Sequence, residues 1–214
     1  MKTLIVAVGI LAVGAFALAQ QGKPLSPSGT AAAQVLGKYV KPTSGRGAPA
    51  LGGEAYQDGK WIEIAYGRPL KRGRDIYGSG ANYGKAMLVG APIWRAGANV
   101  STRLKTEVPL VINGKTVAPG EYSLFIDVKE NNWTLVVSTW AAQTNFDPQN
   151  KAALWGSYNY TPDKDVLRAP MKLETLPHST EQLTWAFLDM TNDSGTIAIS
   201  WDRQMASVAF KVGS

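Results

Sequence analysis

The sequence predicts an all-β protein: an antiparallel β-sandwich of jelly-roll type, with a β-barrel as the alternative architecture. From residue 54 onward, short runs of alternating apolar and polar residues recur between turns containing Gly, Asn, Asp or Pro. Seven Trp and eight Tyr, side chains that pack well on pleated faces, are distributed through the chain. No window longer than about ten residues carries a 3.6-residue apolar period, so ordinary helices are not expected.

Taken from the start, MKTLIVAVGILAVGAFALAQ places Lys2 ahead of an apolar run, Leu4–Leu18, and then the small-x-small triplet Ala17-Leu18-Ala19. That is the pattern of a secretory signal peptide over residues 1–19, cut between Ala19 and Gln20. The run, about 15 residues, is shorter than the ~20 that span a bilayer, and no basic stop-transfer cluster follows it. The expected location is therefore periplasmic or secreted, with no stable membrane insertion after cleavage. Residues 20–53 are rich in Gly, Pro, Ser and Ala and read as an arm or linker, with a short strand at Thr30–Leu36.

Residues 54–214 read as a single β domain. Asp58-Gly59 has the composition of a hairpin turn and precedes a strand at Trp61–Tyr66 with Ile62, Ile64 and Tyr66 on one face. Asn113-Gly114 repeats the device, and Pro119-Gly120 leads into a strand at Glu121–Val128. Glu130-Asn131-Asn132 separates that strand from WTLVVSTW. Val166–Lys172, Gln182–Met190, Thr196–Trp201 and Ser207–Val212 complete the set, with a turn at Asn192–Gly195. This makes about nine or ten strands, without an internal repeat.

Composition narrows the chemistry. The chain has no Cys, so it carries neither disulfides nor a lipid-modified cysteine anchor. Its formal charge is +6, with basic residues spread along the chain apart from Arg68, Lys71, Arg72 and Arg74. Nucleic-acid binding needs a clustered basic face with aromatic platforms, and is not expected. The one histidine, His178, lies in LPHST, which reads as an exposed loop. Zinc sites of the Cys/His type cannot form, and no metal is expected. No G-x-S-x-G elbow, P-loop or dinucleotide G-x-G-x-x-G is present, so no cofactor is expected either. Asp163 and Asp165 could serve as paired carboxylates, but in TPDKDVL they read first as turn and capping residues.

Five segments occur in a recognisable order: YGRPLKRGRDIYG (66–78), IWRAGAN (93–99), APGEYSLF (118–125), WGSYNY (155–160) and DVLR (165–168). Together they resemble the DUF2911 family, exported bacterial proteins of unassigned function, over roughly residues 54–212. The resemblance implies a secreted or periplasmic β-rich domain and no particular reaction. Val100 stands where the family pattern carries an acid, and SGANYGKAMLVGAP before Trp94 is longer than the usual connection.

The candidate ligand-binding residues are Tyr66, Arg68, Arg74, Trp94, Arg95, Asn99, Glu121 and Tyr122. Guanidinium groups suit bidentate recognition of carboxylate or phosphate, and Trp and Tyr rings can stack on a ligand. An anionic or carbohydrate ligand, or an envelope protein partner, follows from that composition. The same arginines could instead tie loops together by donating to backbone carbonyls and to acids such as Glu121 or Asp75. In that arrangement Trp94 plugs one end of the core, Gly97 permits the turn and Asn99 caps it through its side chain. Three functions are therefore weighed. The leading one is a non-catalytic exported β-sandwich that binds a ligand or partner at the cell envelope. The others are a carbohydrate-active enzyme using Glu121 or Asp165 with Arg95, and an assembly subunit using its N-terminal arm or an edge strand.

Overall fold

A computed structural model of the chain describes residues 26–41 and 53–213. The proposed signal peptide and part of the 20–53 segment lie outside the described residues. In chain order the strands are β1 (Ser28–Val35), β2 (Lys38–Val40), β3 (Ala55–Gln57), β4 (Lys60–Gly67), β5 (Thr102–Thr106), β6 (Leu110–Ile112) and β7 (Lys115–Val117). They continue as β8 (Gly120–Lys129), β9 (Asn132–Ser138), β10 (Ala141–Ala142), β11 (Ala153–Leu154), β12 (Asp165–Pro170), β13 (Lys172–Leu188) and β14 (Ser194–Val212). A single helical turn, α1 (Lys85–Leu88), interrupts the long connection between β4 and β5.

Two antiparallel sheets, neither closed into a barrel, make the sandwich. One runs β1-β4-β5-β8-β9-β12, the other β13-β14-β6-β7. Period-two alternation turns Ile62, Ile64, Leu104, Leu124 and Ile126 of the first sheet inward. There they meet Leu183, Trp185, Ile197, Ile199 and Phe210 of the second sheet in one buried cluster. The alternate residues Phe125 and Val136 face outward, yet they are also buried, beneath Ile93, Leu154, Trp140 and Tyr160. Covering both faces explains why SLFIDV and TLVVS read as nearly continuous apolar runs.

Several sequence expectations change in detail. Asn113-Gly114 makes the anticipated two-residue hairpin, with Ile112 opposite Lys115 and both turn residues at positive φ, 48° and 74°. Asp58-Gly59 does not join a hairpin, because β3 pairs with β2 while β4 pairs with β1 and β5. Only Asp58 takes a positive φ, 58°, so the pair cannot make the type I′ turn that needs both. The expected strand at Thr30–Leu36 runs Ser28–Val35 and pairs along its length with β4, so this part of the 20–53 segment is built into the sheet. The segments Gln182–Met190, Thr196–Trp201 and Ser207–Val212 belong to one long hairpin, β13–β14, whose register shifts between Thr175 and Thr184. His178 is exposed as expected, but it lies on β13 rather than in a loop. Pro177 is tolerated there because it falls in the register gap between Thr175 and Thr180, where the regular pairing of β13 with β14 is interrupted.

Candidate functional site

The YGRP and WRAGAN segments both extend from the six-stranded sheet, YGRP from the end of β4 and WRAGAN from the row that β5 occupies beside β8. They meet where Ala98 N–H donates to Gly67 O at 3.3 Å. The backbone of Trp94 pairs with Ile126, donating at 3.1 Å and accepting at 2.9 Å. Pairing along β8 then resumes with Thr102 opposite Leu124. Residues 95–101 therefore form an excursion from the row of the sheet that β5 occupies. Thr102 Oγ1 (3.1 Å) and the buried indole N–H of Trp185 (2.9 Å) both donate to the Ala96 carbonyl, pinning the excursion to both sheets. Trp94 itself is 2% exposed and meets Trp133 edge to face at 5.8 Å, so it closes the end of the core.

Gly97 and Asn99 act differently from the sequence expectation. The left-handed residues are Ala96 (φ 51°) and Asn99 (φ 67°), not Gly97. Gly97 is required for closeness, since a Cβ there would stand 2.8 Å from Thr102 Oγ1. The Asn99 side chain donates to the Ser26 carbonyl at 3.1 Å rather than capping its own turn. Its backbone carbonyl receives Arg95 Nη1 at 2.6 Å. The Arg95 guanidinium also lies 5.4 Å over the Tyr158 ring, and a Cβ on Gly156 would come within 2.6 Å of its Nη1. Ser101 Oγ donates to the Gly156 carbonyl. The WRAGAN and WGSYNY segments are thus one packed unit.

The opposite wall is the turn after β4. Lys71 N–H donates to Glu181 O at 2.7 Å and Leu183 N–H to Pro69 O at 3.0 Å, docking residues 69–74 on β13. Lys71 Nζ pairs with Asp202 at 2.6 Å, which anchors the same turn to β14. Burial opposes the charge on Asp202, but the bonds from Lys71 and Ser179 outweigh it and hold the carboxyl below its usual range. Arg74 donates to the carbonyls of Lys71 and Leu70, leaving the rest of its guanidinium donors for other partners.

Between these walls lies a cleft of about 630 Å³. Arg72 and Arg74 line one side and Arg95 and Asn99 the other, with the half-buried Trp155 contributing aromatic surface and the buried Trp94 and Trp201 lying along the lining. Met87 and Val89, from the long connection around α1, add an apolar border. Among the described residues no carboxylate lines the cleft, and no ion pair involves Arg68, Arg72, Arg74 or Arg95.

Of the sequence candidates, Arg74, Trp94, Arg95 and Asn99 come together here. Arg68 stands next to the cleft without lining it. Its stem packs over Gly29, and its buried Nε has no partner among the described residues. Tyr66 is a core residue whose hydroxyl donates to Trp185 O at 3.4 Å. Glu121 pairs with Arg103 at 3.3 Å elsewhere on the first sheet, and Tyr122 donates to Ala118 O at 2.9 Å. Asp75 accepts from Gly78 N–H at 3.0 Å and binds none of the arginines. Asp165 joins Arg168 (3.1 Å), and Arg168 reaches Asp127 (2.6 Å). Asp165 also accepts from the Tyr160 hydroxyl at 2.7 Å. Burial, then that hydrogen bond and the carboxylate's charge, raise the Tyr160 pKa well above normal. Arg72, Trp155 and Trp201 were missed as site residues, although Arg72 sits in the basic run and Trp155 opens the WGSYNY segment.

The family model described as a protein of unknown function, DUF2911, matches residues 52–210. No curated protein and no solved structure matches the chain. The matched range takes in both walls of the cleft.

Proposed function

The chain belongs to the DUF2911 family, and on that premise we propose that it is an exported, non-catalytic β-sandwich that binds an anionic ligand at the cell envelope. One observation carries the ligand reading: three arginines, Arg72, Arg74 and Arg95, line one cleft whose described lining holds no carboxylate. The Glu181 carboxylate accepts from the Arg72 backbone N–H at 2.7 Å but, among the described residues, pairs with none of the three guanidinium groups. Like charges repel, so such a cluster is best stabilised by an anion, with bidentate bonds adding geometric selectivity. The cleft volume falls within the ~300–1,000 Å³ of small-molecule sites. Export rests on the leading pattern of residues 1–19, and a periplasmic or secreted location follows from it.

A binding role is favoured over carbohydrate hydrolysis because the carboxylates that chemistry needs are engaged elsewhere. Glu121 lies against Arg103 and Asp165 against Arg168, and neither shares the cleft with Arg95. The assembly alternative draws on β1, which forms one edge of the six-stranded sheet.

Calorimetric titration with inorganic phosphate and with glucuronate tests the binding role. Arg95→Ala, and separately Arg72→Ala with Arg74→Ala, are expected to weaken whichever anion binds by about ten- to a hundredfold, the loss of one or more charge-assisted bonds. If wild-type protein binds no anion at millimolar concentration, neither these two nor a phosphate or carboxylate carried on an apolar group, the proposed function is wrong.

A further inference from the structure

Trp155 belongs to two cavities. It lines the arginine cleft, and it also lines a neighbouring cavity of about 430 Å³ bounded by Phe146, Pro148, Ala153 and Tyr158. Tyr158 links the two from beneath: its ring lies under Arg95, and its hydroxyl reaches the Val89 carbonyl at 3.4 Å. Three of the polar side chains lining the second cavity, Gln143, Asp147 and Asn150, are turned to the loop's own backbone. Gln143 Nε2 donates to the carbonyls of Asp147, Asn150 and Ala153 at 3.0–3.1 Å, and its Oε1 accepts from Asp147 N–H at 2.8 Å. Asp147 and Asn150 cap the backbone N–H groups of Gln149 and Ala152. What remains on the lining is ring and aliphatic surface from Phe146, Pro148, Ala153, Trp155 and Tyr158, together with the side chains of Lys151 and Asn159.

Two of the large apolar side chains most open to solvent border this double cavity. Val89 is 61% exposed on the cleft side, and Phe146 is 63% exposed on the far side, meeting Trp155 edge to face at 5.5 Å. A loop organised by a fully bonded, buried glutamine is a rigid platform for holding a phenyl ring in water. Covering that ring removes apolar area from solvent.

Resting on the anion-binding reading above, we infer that the ligand is an amphiphilic anion. Its carboxylate or phosphate head lies among Arg72, Arg74 and Arg95, and its apolar or aromatic tail crosses Trp155 onto Phe146. A hydrophilic acidic sugar would satisfy the guanidinium groups and leave Phe146 and its cavity uncovered.

Titrations of the full chain with 1-naphthyl phosphate, 1-naphthoate, inorganic phosphate and glucuronate decide this. The expected result is at least tenfold tighter binding of 1-naphthyl phosphate than of inorganic phosphate, with Phe146→Ala collapsing that ratio towards one. Comparing naphthyl phosphate with naphthoate identifies the preferred head group. Phe146 is exposed, so the variant is expected to keep its fold, as checked by its far-ultraviolet dichroism. Equal affinity for naphthyl phosphate and inorganic phosphate overturns the amphiphile and leaves the anion site standing. Tightest binding of glucuronate assigns the cleft to acidic sugars and also overturns it. An unchanged ratio in Phe146→Ala refutes the tail position, and no binding of any anion removes the parent reading with it.

Discussion

Gly67 ends β4 where the YGRP segment meets the 95–101 excursion, and its missing side chain is what lets them touch. A Cβ there would collide with the Ala98 carbonyl and lie 3.0 Å from the Ala98 nitrogen. Both obstacles are backbone atoms, so relief requires the excursion to move rather than a side chain to rotate. Gly67→Ala is therefore expected to lose about 1–3 kcal/mol, the usual range for overpacking. At ~2–4 °C per kcal/mol for a chain of this size, the calorimetric midpoint should fall by several degrees. An unchanged midpoint would mean that the two walls of the cleft are not rigidly joined. The neighbouring residues show what single letters conceal. Gly97 looked like the turn former, yet Ala96 and Asn99 adopt the left-handed backbone and Gly97 serves close packing. Asn99 looked like a local cap, but its amide reaches back to Ser26, a contact across 73 residues that no local pattern encodes.

At the scale of elements, the turn after β4 is held to the second sheet by a partly buried ion pair. Asp202 has a depressed folded-state pKa, so its contribution is present above the unfolded value, near 3.9, and is lost as pH falls through the folded value. Wild-type thermal stability should therefore fall as the solution is acidified below about pH 4. Asp202→Asn should be less stable than wild type at pH 7 and show a shallower acid decline. Parallel wild-type and variant curves of melting midpoint against pH would contradict this. The same partnership explains why the β13–β14 hairpin was hard to read. Pro177 and the polar Asp202-Arg203 pair look like breaks between strands. In the folded chain Asp202 instead receives Lys71 and Ser179, and Arg203 donates to the Leu176 and Pro177 carbonyls, so the polar residues are satisfied within a continuous bulged hairpin. Asn113-Gly114 was legible because its whole meaning is local: both residues tolerate positive φ and the strands follow immediately.

At the scale of the molecule, β1 covers β4 along eight paired residues, Ser28↔Gly67 to Val35↔Lys60, and so decides which strand forms the sheet edge. Deleting residues 28–35 should expose the N–H and C=O groups of β4 and promote association. Light scattering coupled to size exclusion is expected to show oligomers or loss of soluble protein, and a monodisperse monomer would argue against the edge-protecting role. The all-β class, the inward faces such as Ile62 and Ile64, the Asn113-Gly114 hairpin and the family are all legible in the sequence. These depend on period-two alternation, turn chemistry and ordered motifs, all of which can be read within a few residues. Tertiary structure alone decided that β3 pairs with β2, that Tyr66 and Glu121 stand apart from the cleft, and that Arg72, Trp155 and Trp201 belong to it. The reason is separation along the chain. The cleft exists because a turn docked on β13 and β14 faces an excursion from β5 and β8, joined by bonds such as Trp185 to Ala96 across 89 residues. Contacts of that span are set by how the sheets stack, not by any pattern in the neighbouring sequence.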